Sequence, residues 1–131
     1  MPKKNVLLVG LEPKTIDYSG MDYQPFSKLG PELVQAGLDA DVEKLTRKGI
    51  DAELCLDAAA DLPATLEIRL RDKTYDCILV GAGVRLVPKN FLLFERVINI
   101  IHMLAPKAVI CFNTKPDDSM EAVERWLAIE T

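Results

Sequence analysis

The sequence is poor in the residues that most often carry enzyme chemistry. It contains one histidine, His102, and only 6% of its 131 residues are aromatic. A Ser-His-Asp triad has no support, because none of the three serines follows a strand at the sharp turn into a helix that such a nucleophile requires. His102 shares a helical stripe with Glu95 and Asn99, which is typical of a solvated helix face.

Metal-ligand patterns are also missing. A metal ion would depend on scattered carboxylates such as Glu12, Asp17, Asp117 and Asp118. Asp117 and Asp118 precede a predicted helix, where the positive end of the helix dipole favours acidic residues. The sequence therefore predicts no metal site, and it indicates no particular cofactor.

Cysteine is scarce and has no paired motif. Cys55, Cys77 and Cys111 are an odd number of cysteines without a Cys-x-x-Cys pair, and each lies in an apolar stretch typical of a strand. In this pattern cysteines are more often buried, reduced thiols than ligands or redox partners. We therefore expect three buried thiols and a cytoplasmic location.

The chain has no excess of positive charge. Lys and Arg number 16 against 20 Asp and Glu, which gives a net charge of −4. Nucleic acids and anionic membrane surfaces select basic proteins, so neither is predicted as the main partner. No apolar run approaches the ~18 residues of a membrane span, and the first apolar run, Val6–Val9, is too short for a secretory signal.

What the sequence does contain is a regular alternation of strands and helices over one domain, residues 1–131. The apolar runs and helical stripes predict strands at 4–11, 50–56, 75–80 and 109–113, and helices at 31–48, 61–73, 88–105 and 118–129. Residues 61–73 fit a strand as well, and we choose a helix because two parallel strands need a crossover between them. Trp126 is expected on the buried side of the last helix.

This order predicts an α/β, flavodoxin-like doubly wound sheet with helices on both faces. Right-handed crossovers and an edge-like second strand, in which acids alternate with apolar or small residues, favour about four parallel strands in the order 2-1-3-4. Ligands of such sheets bind at the carboxyl ends of the strands, where the winding reverses. Here that point lies between strands 1 and 3, beside the segments 11–30, 81–88 and 113–118.

The segment after the first strand carries none of the signatures that usually mark this winding. It has no Ser/Thr-rich flavodoxin loop, no phosphatase cysteine, no acidic receiver pair and no Gly-Lys-Ser/Thr of a P-loop. Gly81-Ala82-Gly83 begins like a dinucleotide fingerprint, but Leu86 occupies its sixth position and the motif follows the third strand. Small residues that allow a tight turn are the simpler interpretation.

Two features at this edge of the sheet indicate a ligand-binding site. The segment 11–30 is long for a loop and carries Tyr18, Tyr23 and Phe26, so it is predicted to cover a ligand or to be pinned to the domain by its aromatics. Polar residues also follow strands 3 and 4, and Arg85 and Lys115 can bind a phosphate or carboxylate. An ordinary salt-bridged rim is the alternative. The candidate ligand-binding residues are Glu12, Asp17, Tyr18, Tyr23, Gly81, Ala82, Gly83, Arg85, Asn113, Thr114 and Lys115.

The helix at 88–105 offers a second kind of site. Its apolar arc, which includes Phe91, covers about half of the helical wheel, and Leu92 and Met103 fall among the polar residues of the other face. Such a helix is predicted to pack against a second subunit as a homodimer. The alternative is a well-buried helix with two exposed apolar residues.

Lys115-Pro116, at the end of the last strand, resembles the Lys-Pro pair of response-regulator receiver domains. Gly81 stands where the phospho-accepting aspartate of that family would end the third strand, the acidic pair is missing, and there is one βα unit too few. The resemblance therefore implies a receiver-like domain that cannot be phosphorylated in the usual way.

A larger part of the chain resembles a group of small bacterial proteins of unknown function, through the stretches LVGLEP at 8–13, YDCILVGAGVRL at 75–86, LLFER at 92–96 and FNTKPDD at 112–118. This resemblance implies the same fold and no activity. Two hypotheses follow. The first is a non-catalytic, receiver-like interaction or binding module. The alternative is an enzyme or sensor for a small phosphate- or carboxylate-bearing ligand at the carboxyl ends of strands 1, 3 and 4.

Overall fold

Four parallel strands form the central sheet. The computed structural model describes residues 3–16, 30–114 and 118–127. The strands are β1 (Asn5–Leu11), β2 (Asp51–Asp57), β3 (Cys77–Val80) and β4 (Val109–Phe112), in the spatial order β2-β1-β3-β4. The predicted flavodoxin-like order is confirmed. β1 pairs with both neighbours, with Val6 opposite Ala52 of β2 and Cys77 of β3.

Helices cover both faces of the sheet. They are α1 (Gly30–Arg47), α2 (Leu62–Asp72), α3 (Ala82–Arg85), α4 (Phe91–Leu104) and α5 (Ser119–Glu124). The ambiguous segment 61–73 is a helix, as predicted. The sequence did not predict the one-turn helix α3, nor the 3-10 turns at Pro13–Thr15 and Pro88–Asn90. No helix in the described ranges is long and apolar enough to cross a bilayer.

The core has two layers because the central strands bury both faces. Leu7 and Val9 of β1 pack under α2 and α4, whereas Val6 and Leu8 pack under α1 and α5. All four side chains are at most 2% exposed. An unbroken apolar run is what a strand buried on both faces requires, so the prediction for β1 is confirmed.

The end of α1 is fixed by a glycine, which comes directly after the predicted end of this helix at residue 48. Gly49 adopts a φ of +82°, a conformation that side chains with a Cβ disfavour. Its N–H donates to Thr46 O and the Ile50 N–H donates to Leu45 O, both at 3.0 Å. These are the two hydrogen bonds of a Schellman motif. Ile50 and Leu45 then pack together in the core, which directs the chain from the helix into β2.

All three cysteines are buried free thiols, as predicted. Cys77 and Cys111 lie on the neighbouring strands β3 and β4, with their sulfur atoms 3.4 Å apart. The hydrogen bond with Cys111 and burial raise the pKa of Cys77, and burial raises the pKa of Cys55. Both thiols therefore stay protonated and are poor nucleophiles near neutral pH.

Glu53 of the edge strand β2 is the centre of a polar network with α2. Its carboxylate accepts hydrogen bonds from Tyr75 Oη at 2.9 Å and Arg69 Nη1 at 3.2 Å, and it pairs with Lys73 Nζ. Lys73 also bonds Asp51 at 3.2 Å. The bond with Lys73 is the largest cause that lowers the pKa of Glu53. The network ties the outer strand to its crossover helix.

The opposite edge of the sheet is closed by a side chain. The Val109 N–H donates to the carbonyl of Asp76, the residue before β3, so the backbone groups of Val109 point towards β3. Backbone groups alternate along a strand, and the carbonyl of Phe112 therefore points away from β3. Arg125 Nη2, just after α5, donates to this carbonyl at 2.8 Å. Charged side chains at a sheet edge are a common protection against added strands, and Arg125 supplies one from outside β4.

One prediction about an apolar side chain is wrong. Trp126 is 59% exposed, because α5 ends at Glu124 and the following turn takes Trp126 off the buried stripe. Phe91, the first residue of α4, is 62% exposed. Leu92 and Met103 are exposed, as predicted, at 69% and 75%.

Candidate functional site

The carboxyl ends of β1 and β3 meet at the predicted reversal of the winding. Gly81, directly after β3, donates its N–H to Val9 O of β1 at 2.8 Å. A Cβ atom on Gly81 would lie 3.3 Å from the same oxygen, which is tighter than most real contacts. Glycine at this position therefore lets the two strands approach and lets α3 begin immediately afterwards.

Asn113 is a buried residue that links two helices at this edge of the sheet. Its Oδ1 accepts the Ala82 N–H at 2.9 Å, and its Nδ2 donates to Ser119 Oγ at 3.2 Å. The side chain is 2% exposed, and Ser119 is fully buried. Asn113 thus joins the start of α3 to the start of α5 across the end of β4. Its amide is committed to the fold, whereas the sequence predicted that it faces a ligand.

Arg85 lies at the predicted edge and is held by two internal partners. Its Nη2 donates to the Asn113 carbonyl, and its guanidinium stands over the Phe112 ring with 5.3 Å between Cζ and the ring centroid. The Nε atom is buried without a hydrogen-bond partner among the described residues. The structure therefore places Arg85 beside Asn113, as predicted, with half of its guanidinium already engaged.

Thr114 is exposed, and both its N–H and its hydroxyl bond the side chain of Asp118. Its N–H donates to Asp118 Oδ1 at 3.0 Å, and its hydroxyl donates to Asp118 Oδ2. Asp118 precedes α5, as predicted, but its side chain makes no cap hydrogen bond on that helix. The carboxylate is drawn back to Thr114 instead. Lys115 lies outside the described residues.

Of the acidic and aromatic residues predicted for the site, Glu12 lies on its rim and the others lie outside the described residues. Glu12 donates its N–H to Asp57 O at 2.9 Å, and its carbonyl accepts the Thr15 hydroxyl at 2.7 Å. Its side chain is half-buried on a shallow groove with Lys14 and Glu32. Asp17, Tyr18 and Tyr23 lie outside the described residues.

The Gly81–Gly83 backbone is less available to an anion than the sequence suggested. The N–H groups of Gly81 and Ala82 donate to Val9 and Asn113. The carbonyl of Gly83 accepts from Asn90 Nδ2 at 3.0 Å, which anchors α3 to the start of α4. An anion nest needs several free N–H groups pointing at one place. Two of the three candidates here stabilise the fold.

An apolar pocket occupies the centre of this edge. It has a cavity volume of about 60 Å³ and lies between α1 and the carboxyl ends of β1 and β3. Backbone of Gly10, Gly81 and Gly83 forms part of its wall. The apolar side chains around it include Leu11, Ile16, Val34, Leu38, Leu56 and Ala82. No charged side chain of the described residues lines it.

The sequence missed the apolar walls of this pocket because they come from residues that also read as core. Val34 and Leu38 belong to the apolar stripe of α1, which a helical wheel assigns to packing on the sheet. Asn90 and Ser119 were missed as well, since neither belongs to a motif. A signal for the pocket was present in the three glycines at the two strand ends, where backbone can form a wall without side chains.

The described residues contain no group of three or more His, Cys, Asp or Glu that could hold a metal ion. Comparison with protein-family models, with curated proteins and with solved structures finds no match to this chain. The fold and site define the chain as a flavodoxin-like α/β domain with an apolar pocket at the reversal of its winding.

Proposed function

We propose that this domain is a non-catalytic interaction module that acts as a homodimer through α4. The observation that carries the proposal is the outward face of α4, where Leu92 and Met103 are 69% and 75% exposed. Leu92 and Met103 lie near the two ends of one exposed face of this helix, where each is available for contact with another molecule. The receiver-like outline, with Gly81 at the end of β3, agrees with a domain that signals by contact.

The polar groups that the structure describes at the carboxyl edge support a module that binds without catalysis. Among the described residues, the polar groups gathered there are Arg85, Asn113 and Thr114, and each is held by an internal hydrogen bond. Cys55 and Cys77 are buried with raised pKa values. A nucleophile needs access and a base within hydrogen-bond reach. These groups supply neither.

A second copy of the chain is the partner that the α4 stripe fits. Leu92, Arg96, Asn99 and Met103 follow one another at spacings of four, three and four residues and all are exposed. When two such helices pack antiparallel about a two-fold axis, Leu92 of each copy meets Met103 of the other. Arg96 of each copy then lies opposite Asn99 of the other, a polar pair that fixes the register.

The size of the stripe sets the expected strength of the dimer. α4 has 14 residues, a length of about 21 Å. A standard stable interface buries about 800 Å² per partner, more than one helix face of this length supplies. We therefore expect a reversible dimer with a Kd in the micromolar range or weaker.

Leu92→Glu is expected to weaken the dimer about tenfold or more, because the two-fold axis places two carboxylates against methionine side chains. Sedimentation velocity over a concentration series measures the Kd. Ile68→Glu is the matched control, since Ile68 of α2 is 71% exposed and lies outside the stripe. A wild-type protein that stays monomeric at millimolar concentration contradicts the proposal, as does an equal effect of both variants.

The second candidate function is binding of a small phosphate- or carboxylate-bearing ligand by Arg85 and Lys115. It is favoured by the buried Arg85 Nε, which has no hydrogen-bond partner among the described residues and which an anion can satisfy. We expect inorganic phosphate to raise the Tm of the wild-type protein and to have no effect on Arg85→Ala or Lys115→Ala. Differential scanning fluorimetry at constant ionic strength tests this. An equal rise in all three proteins argues against it.

A further inference from the structure

We propose that the pocket at the carboxyl ends of β1 and β3 binds a small uncharged molecule through an apolar group of the size of an isobutyl or phenyl group. The site is separate from the α4 stripe and does not depend on a dimer. It also differs from the anion site considered above, because its recognition is apolar.

The position of the pocket is the first argument. Parallel α/β sheets bind ligands in the crevice where the strand order reverses, since the two crossover connections leave in opposite directions there. In this chain β1 connects towards β2, while β3 lies on the other side of β1. The pocket lies at that point, with Gly10 on one strand end and Gly81 beyond the other.

The lining determines the chemistry. Val34 and Leu38 of α1 face the strand ends, and Ile16 lies at one side of the pocket. The polar group on the lining is the Asn113 amide, which is already paired with Ala82 and Ser119. A charged ligand group would lose its hydration without gaining a partner from these walls. An apolar group loses nothing and removes its own surface from water.

The volume limits the size of the bound group. One water-sized probe needs about 10–15 Å³ of such volume, so a cavity of about 60 Å³ admits roughly four to six non-hydrogen atoms. A branched aliphatic group or a single ring has this size. The rest of a larger ligand would extend out of the pocket, which is partly open to solvent.

Gly83 is a position at which one added carbon reduces the volume of the pocket without disturbing the fold. Its φ is not positive, so alanine suits its backbone. The new Cβ would lie 3.8 Å from Leu11 Cδ1, an ordinary contact with another residue of the pocket wall. Because Gly83 is in α3, alanine also improves helix propensity. Gly83→Ala is therefore expected to fold at least as well as the wild-type protein. Val34→Ile adds one methyl group from the α1 side as a second test.

The experiment titrates methyl-labelled protein with phenol and with isovaleramide, and follows the methyl signals of Leu11, Ile16 and Val34 by NMR. Saturable shifts of these signals are expected with at least one probe. One added carbon in an apolar pocket changes affinity roughly tenfold, so Gly83→Ala and Val34→Ile should each weaken binding by about that factor. Asp61→Glu adds a carbon at an exposed residue of the α2 start and should leave binding unchanged.

The proposal is overturned if neither probe shifts the pocket methyl signals, or if binding persists unchanged in both pocket variants. Phosphate and acetate form the anionic arm of the same titration. If they shift these signals while phenol and isovaleramide do not, the site takes an anion and the apolar assignment is wrong. Neither result affects the sedimentation test of the α4 dimer, so the two proposals fail separately.

Discussion

Asn113→Ala is expected to lower the free energy of unfolding by about 3 kcal/mol. The substitution removes the acceptor of the Ala82 N–H and the partner of the Ser119 hydroxyl. Ala82 is 4% exposed and Ser119 is fully buried. A buried polar group that loses its partner costs about 1–3 kcal/mol. Two such groups, with the small cavity left by the amide, account for the expected loss.

Urea denaturation followed by circular dichroism measures this effect. Thr114→Ala is the matched control, because Thr114 is the next residue and its side-chain bond to Asp118 is exposed to solvent. Its expected loss is below about 1 kcal/mol. A loss of that size for Asn113→Ala as well would mean that Ala82 and Ser119 find other partners, and that Asn113 is free to serve a ligand.

Glu53→Ala is expected to lower the free energy of unfolding at neutral pH by about 2 kcal/mol. The Tyr75 hydroxyl loses its acceptor, and Tyr75 is only 6% exposed, so water cannot easily replace Glu53. This loss is the larger contribution. Two partly exposed ion pairs with Arg69 and Lys73 are lost as well. Glu53→Gln keeps an oxygen for Tyr75 and loses only the charge, so about half of this effect is expected.

The charge contribution of Glu53 depends on pH in a predictable direction. Its pKa in the folded protein is below the ordinary value of 4.5. The stabilisation by the carboxylate is therefore fully present above pH 4.5 and is lost as the pH falls through the lower folded-state pKa. The stability difference between wild type and Glu53→Gln should shrink over that range. A difference that stays constant down to pH 3 would contradict the proposed role of the charge.

Sequence reasoning recovered the sheet because its signals are local and strong. The apolar run at 4–11 is continuous, as burial on both faces demands. Connection rules then left few strand orders, and the observed order is the one they favoured. Residues 61–73 were ambiguous only because Leu66 to Arg71 alternate in polarity while the leucines repeat every four residues. The need for a crossover decided that case.

The candidate site was predicted in position but less well in detail. Asn113 and Arg85 lie at the predicted strand ends, yet their partners are set by side-chain geometry that no spacing encodes. Ser119 comes six residues after Asn113 and has no motif of its own. Trp126 illustrates the same limit, because a helical wheel assumes that the helix continues, and α5 ends before that residue.

The contact between Arg125 and the Phe112 carbonyl has a consequence for how copies of this protein can assemble. A bare sheet edge accepts a strand from another molecule, and each addition exposes a fresh edge, so growth has no natural end. In the part of the chain that the structure describes, the β4 edge spans only four residues and one of its outward carbonyls is already occupied. A strand that adds at β4 would first have to displace the Arg125 side chain from the Phe112 carbonyl.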